Sequence, residues 1–276
     1  MVANAQTKIS PVLTALALTT LTLASNPSRA QWEGYEKMSV DTLQAALAKP
    51  SPQPPQLTGK NFSNLDLQAM DFRRANLSSS VFNGAKLMHA KLDGTNLTVT
   101  FLEHSDLTEA SLEGAMMFSV QMSGSILRHA DLNGARLIGD LRHADLSGAK
   151  LTHVNGAADM RNQSMGLMNT VLANAKAVGA DFSDSDLSRA DLSFADLSDA
   201  HLRRTKLIRA DLSGTNLSGA DLENADLREA QLIDTNFSKA NLSGADFTGA
   251  SFGSVRGLDT ALTRGARGLP GSPQPP

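Results

Sequence analysis

From Phe62 to Phe252 a large apolar residue returns at almost every fifth position, as in Leu67, Phe72, Leu77, Phe82 and Leu87, and again in Leu187, Leu192, Leu197, Leu202 and Leu207. Two residues ahead of each stands a small one, usually Ala, as at Ala75, Ala85, Ala190 and Ala220, and the residue between is most often Asp or Asn. A period of five is not helical. Five residues advance an α-helix by about 500°, so successive leucines would spiral over its whole surface. A straight strand fails as well, because an odd spacing sends successive leucines to opposite faces. The leucines can share one interior only if the chain turns a corner once per pentapeptide. The small residue and the Leu then face inward from a short extended piece, and the polar residue between them faces out. The remaining two positions, often Ser-Gly, make the turn.

The tandem ADLSG and ADLxx units resemble the pentapeptide-repeat family, whose consensus is A(D/N)LXX. That resemblance implies an all-β fold, a right-handed quadrilateral parallel β-helix, in which four pentapeptides make one square coil and the central Leu or Phe fills the bore. Roughly nine to ten coils at about 4.8 Å each give a rod about 45 Å long. Burying one Leu or Phe contributes about 1.5 to 3 kcal/mol, whereas ordering five backbone residues costs roughly 5 to 10. A single repeat therefore cannot fold alone, and stacking must supply the difference.

The five-residue phase breaks once. Leu137 to Leu141 is a step of four, Leu146 and Leu151 keep the shifted phase, and Leu167 and Leu172 recover the original one. The reading is a bulge around 138–141 plus a loose coil at 154–166, with one residue lost, one regained and the repeat count preserved. It serves either as tolerated drift or as a loop reserved for a partner.

Residues 60–264 are assigned to the solenoid. Ahead of it, 31–49 reads as a short helical cap, with Ser39 as N-cap and Val40, Leu43 and Leu47 at helical spacing, after Trp32 and Tyr35. Residues 50–59 form a Pro-rich linker, and 265–276, rich in Gly and Pro, are expected to be a disordered tail. The first thirty residues are of another kind. Lys8, an apolar run from Ile9 to Ala24, and Ser28-Arg29-Ala30 make a cleaved secretory signal with cleavage after Ala30. That run is short of the roughly 20 residues a spanning helix needs. The expected destination is secreted or periplasmic, with no membrane span after cleavage.

Composition changes the functional picture more than the fold. The formal charge is −3, and Lys and Arg are interspersed with the acids, which provides no field for nucleic acid. Cysteine is absent, so disulfides and thiolate metal sites are excluded. The outward column Asp181, Asp186, Asp191, Asp196 is interrupted elsewhere by Asn, Lys, His and Arg, so no ligand set is maintained, and local side-chain to backbone bonding is its expected role. His89, His104, His129, His143 and His153 all fall at turns. His89 and His129 share one corner and His104 and His143 another, two coils or about 9 to 10 Å apart, too far for one ion bound at about 2 Å. No metal, cofactor or catalytic residue is assigned. No nucleophile–base pair or phosphate loop is recognisable, so the chain is not read as an enzyme.

Four apolar residues stand where polar ones are usual: Met116, Phe118, Ile138 and Val178. Four repeats per coil place them on one face, a candidate protein-contact surface. The function expected is an exported, non-enzymatic scaffold or protein-binding rod, with homodimerisation left open. The alternative, implied only by the resemblance, is a DNA-mimic-like protein acting on DNA gyrase, against which the leader and the modest charge both speak.

Overall fold

Each pentapeptide has five backbone N–H groups to satisfy, and the hydrogen bonds show where they go. In the repeat centred on Leu87, Lys86 N–H donates back to Leu65 in the preceding coil, and Leu87 and His89 donate forward to Asp106 and Thr108. Ala90 N–H closes the turn on the Leu87 carbonyl. The N–H after the central residue is the one left over. It is taken by the outward Asp or Asn two positions earlier, as in Ser188 N–H to Asp186 Oδ1 (3.1 Å), Ser193 to Asp191 (3.0 Å) and Ser218 to Asn216 (3.2 Å). The Asp/Asn preference is thus the cap that completes the backbone accounting, as expected for the acidic column.

The computed structural model describes residues 32–158 and 168–270, except 33, 50, 51 and 74. The stretch read as a leader, through Ala30, lies outside these residues, as does most of the looser part of the break. The chain forms a right-handed parallel β-solenoid of about ten turns with four sides per turn. One row of bridges runs Gln56, Asn76, Asn96, Met116, Arg136, Asn155, Asp186. The rows through Gln121, Ile126 and Asp131 define faces two, three and four in chain order, after face one through Met116. The central residues are fully buried along the bore, among them Phe62, Leu87, Leu137, Leu187 and Leu212. Where the inward small residue is Thr or Ser, its hydroxyl donates to a carbonyl, as Thr205 Oγ1 to Phe182 (2.8 Å) and Thr235 Oγ1 to Leu212 (2.9 Å).

At the N-terminal end, helix α1 (Val40–Ala48) closes the bore. Ser39 Oγ accepts from Thr42 N–H at 3.2 Å, and Leu43 is buried in the core that continues through the coils. Strand β1 (Glu36–Lys37) pairs in parallel with β2 (Lys60–Asn61). That brings Trp32 and Tyr35 over Val81 and Phe101, two apolar residues in the outward position of face two. The Trp32 ring meets Phe101 edge-on at 4.6 Å between centroids. The winding starts inside the stretch assigned to the linker, since Gln56 bridges to Asn76 and Leu57 is buried. It also runs past residue 264, with Asp246 bridged to Arg267.

The phase break differs from the reading of one residue lost and one regained. Strands β3 (Met116–Gln121) and β4 (Arg136–Asp140) run through their corner, and the register slips between Phe118 and Val120, so Gln121 pairs with Asp140, 19 residues on instead of 20. The following turn is not loose by one residue but long by eleven: Asp140 pairs with Val171 in β5 (Thr170–Val171), and Asp145 with Lys176, each 31 residues on. One lost and eleven gained restore the five-residue phase. They also move everything after the break by two faces relative to an uninterrupted count. The base of the long turn is clamped by Thr170 Oγ1, which donates to the carbonyls of Leu137 (2.5 Å) or Gly156 (2.9 Å). Strands β6 (Gln231–Ile233) and β7 (Ser251–Gly253) continue face two near the C-terminal end.

Candidate functional site

The break dissolves the apolar face expected from the sequence. Met116 is exposed and Phe118 half-buried on face one, and Phe118 pairs in register with Ile138. Ile138, however, is fully buried, because the deleted residue draws the corner after Leu137 into strand β4. Val178 follows Lys176, which belongs to the row of Ile126 and Asp145, so it lies on face three, opposite Phe118. The four residues therefore do not form one surface.

The five turn histidines sit where placed, two after a central residue, and every one has a left-handed backbone with φ between 54° and 59°. The sequence reading did not anticipate so many bulky residues there. Val99, Arg189, Phe194 and Glu229 share that conformation, because the forward bond from each of these N–H groups to the next coil holds it in place. Their side chains lean along the rod. His104 lies over Gly124 and His129 over Gly148, where an added Cβ would meet the ring at 2.6 and 2.5 Å. His89 Nδ1 faces Glu109 in the next coil at 3.4 Å. Among the described residues no group of three acidic or histidine side chains is placed to hold a metal ion.

Charges pair between coils. Arg204 bonds Asp184 (2.6 Å), Arg209 bonds Glu229 (2.6 Å), Arg128 bonds Asp145 (2.7 Å) and Lys206 approaches Asp186 (3.5 Å). Hydrogen bonds from Arg204 and Arg209 hold the Asp184 and Glu229 carboxyls below their ordinary values. Glu103 goes the other way: burial on face two pushes its carboxyl up, only partly opposed by Asn83 Nδ2, which donates to Oε2 at 2.7 Å. A raised folded value means the ionised form weighs against folding once pH passes the unfolded value, and protonation removes that cost. Glu103→Gln, which keeps an acceptor for Asn83, is expected to raise the melting temperature at pH 7 by about 2 °C and to change it little at pH 3.5. A variant that melts below wild type at pH 7 would show that the carboxylate is held by a partner.

The sequence reading missed Phe194 and Ile233. Together with Met116 and Leu262 they are the exposed large apolar side chains of the described residues. Phe194 could have been found, as an aromatic residue in the turn position that, Ala69 and Val99 aside, otherwise holds Gly, Ser, Asn, His or a charged residue.

Pentapeptide repeats are matched in eight copies, spanning residues 61–134 and 167–253 in overlapping segments. Among solved structures, the chain is similar to HetL, a pentapeptide repeat protein involved in heterocyst differentiation regulation in the cyanobacterium Nostoc sp. strain PCC 7120. Identity is 29%, coverage is 82% of this chain and 97% of HetL, and the TM-score is 0.51. It is also similar to Rfr23, a pentapeptide repeat protein of the cyanobacterium Cyanothece 51142, at 27% identity over 44% of this chain and 89% of Rfr23, with a TM-score of 0.41. QnrB1, a plasmid-mediated fluoroquinolone resistance protein, matches at 16% identity over 74% of this chain and 91% of QnrB1, with a TM-score of 0.37. No curated protein matches the chain.

Proposed function

This chain belongs to the pentapeptide-repeat family, and on that premise we propose that it is an exported, non-enzymatic rod that binds a protein through its outward side chains. The observation that carries the reading is the contrast on its surface. The backbone of each coil is consumed by its neighbours and the outward Asp and Asn by the turns, yet Met116, Phe194, Ile233 and Leu262 stand exposed on this rigid lattice. Exposed apolar groups on an otherwise saturated polar surface mark contact sites. Support for export comes from the apolar run ending in Ser28-Arg29-Ala30, and the rows of alternating charge favour protein binding over mimicry of a uniformly negative duplex.

Fractionation of a cell expressing the tagged chain, followed by cross-linking and mass spectrometry, tests both halves. The expected result is a chain beginning at Gln31, outside the cytoplasm, cross-linked to a reproducible protein. An intact leader in the cytoplasmic fraction would overturn export, and the absence of any cross-linked protein above a control rod would overturn binding.

A further inference from the structure

Face two changes character after the break. From Val171 to Ser254 its outward positions, and the turn that follows it in each coil, hold no Lys, Arg or His. They carry Ser and Gly, three carboxylates (Asp191, Asp211 and Asp234), and two of the exposed apolar side chains, Phe194 at 65% and Ile233 at 47% exposure. Each apolar side chain has a flat bed in the next coil. The Phe194 ring lies against Gly214, where an added Cβ would stand 2.5 Å from Cδ1, and Ile233 lies over Gly253, where an added Cβ would stand 3.5 Å from its side chain, leaving their other sides open.

Elsewhere Asp186, Asp184, Asp226 and Glu229 have a cation, whereas Asp106, Asp181 and Asp196 have only hydrogen bonds among the described residues; what sets the strip apart is that no basic residue shares it. Asp191 gives one oxygen to the Ser193 N–H and hydroxyl, and Asp211 gives one to the Ser213 N–H. No ion pair engages either of them, or Asp234, among the described residues. Among the described residues, basic groups at the edges of the strip are engaged elsewhere: Arg142 with Asp140, though it also acts on Asp191, and Arg209 with Glu229, on which Arg189 on the same corner also acts.

We propose that this strip, centred on Phe194 between Asp191 and Asp211, docks a protein segment that presents an apolar side chain flanked by Lys or Arg. Charge complementarity selects that occupant. A second copy turned about a two-fold axis would set the same carboxylates against one another, and a nucleic acid would be repelled. The apolar group covers the open face of Phe194, and the flanking cations take the carboxylate oxygens that the turns leave free.

The inference rests on the protein-binding reading above, and its test separates the two. Labelled probes, a peptide of alternating Leu and Lys, its Leu/Glu counterpart and oligolysine, are titrated against the folded full chain by fluorescence anisotropy. The Leu/Lys peptide is expected to bind at least about tenfold tighter than either of the others, and Phe194→Ser or the pair Asp191→Asn, Asp211→Asn to weaken it by about tenfold. Phe118→Ser, on face one, leaves it unchanged, and thermal melts confirm that every variant is folded. Equal binding of the Leu/Glu peptide, or indifference to Phe194→Ser, overturns the strip. So does sedimentation showing a dimer that Phe194→Ser abolishes, since a second copy would then be the occupant. If these fail while the cross-linking experiment still identifies a partner, the rod reading stands and only the surface is wrong.

Discussion

Leu212→Asp is expected to abolish cooperative folding near physiological temperature. Leu212 is fully buried in the bore, stacked between the central residues Leu192 and Leu232 of the adjoining coils, and its carbonyl accepts from Thr235 Oγ1. The substitution removes an apolar side chain, worth about 2 to 5 kcal/mol with the cavity it leaves, and adds a carboxylate where no cation can reach it. Neutralising that group by protonation still leaves a polar side chain without partners in an apolar column. The total exceeds about 4 kcal/mol, which in a chain of this size lowers the melting temperature by more than about 10 °C. Because each coil touches only its neighbours, the damage also cuts the rod into two stacks. The C-terminal stack lies on the far side from the α1 cap, so its amides are expected to exchange with solvent first. Leu212→Met, which conserves volume, costs under about 1.5 kcal/mol and serves as the control. A Leu212→Asp melt within about 2 °C of wild type would mean that Leu212 does not face the bore.

The bore was legible in the sequence because burial has a period and the residues obey it. A central Leu or Phe and the small residue two before it can be dry together only inside a cornered coil. The role of the outward Asp was legible for a related reason: an oxygen two residues ahead of a turn N–H is the local bond that Asp and Asn make. What periodicity cannot register is an insertion equal to whole repeats. The net gain of ten residues across the break leaves Leu167 and Leu172 in phase with Leu137, yet backbone pairing of Asp140 with Val171 places Val178 two faces away from where counting put it. Ile138 was misassigned by the same event, since nothing in its own residue type says that the corner before Gly139 has been pulled into a strand. The histidines were rightly placed at turns, but the sequence reading did not follow that the backbone at this position takes a positive φ. In a stacked ladder the forward hydrogen bond imposes that conformation on His, Arg, Phe and even Val99. That override let Phe194 occupy a turn and escape notice.

Gly139→Ala is expected to produce the largest loss of any glycine-to-alanine change among the described residues. The residue sits where the register slips, paired with Val120 on one side and Thr170 on the other, with φ of 152°. A Cβ there would overlap the Val120 carbonyl oxygen and stand 2.8 Å from the Val120 amide nitrogen. Both are backbone atoms in a strand pair, so neither can swing aside as a side chain would. Relief requires β3 and β4 to separate, which breaks the junction from which the 31-residue turn departs and loosens Thr170, whose hydroxyl donates to the carbonyl of Leu137 or of Gly156. The expected cost is about 2 to 4 kcal/mol, or roughly 5 to 15 °C in melting temperature. Gly94→Ala isolates the conformational part, because Gly94 has φ of 62° and open space around its Cβ position. It should cost only about 1 to 2 kcal/mol. Hydrogen exchange should then report faster opening of amides 137–141 and 170–172 in the Gly139 variant alone. If the two variants melt together, the close approach of the strands at Val120 is not a feature of the folded protein, and the one-residue deletion must be absorbed elsewhere in the coil.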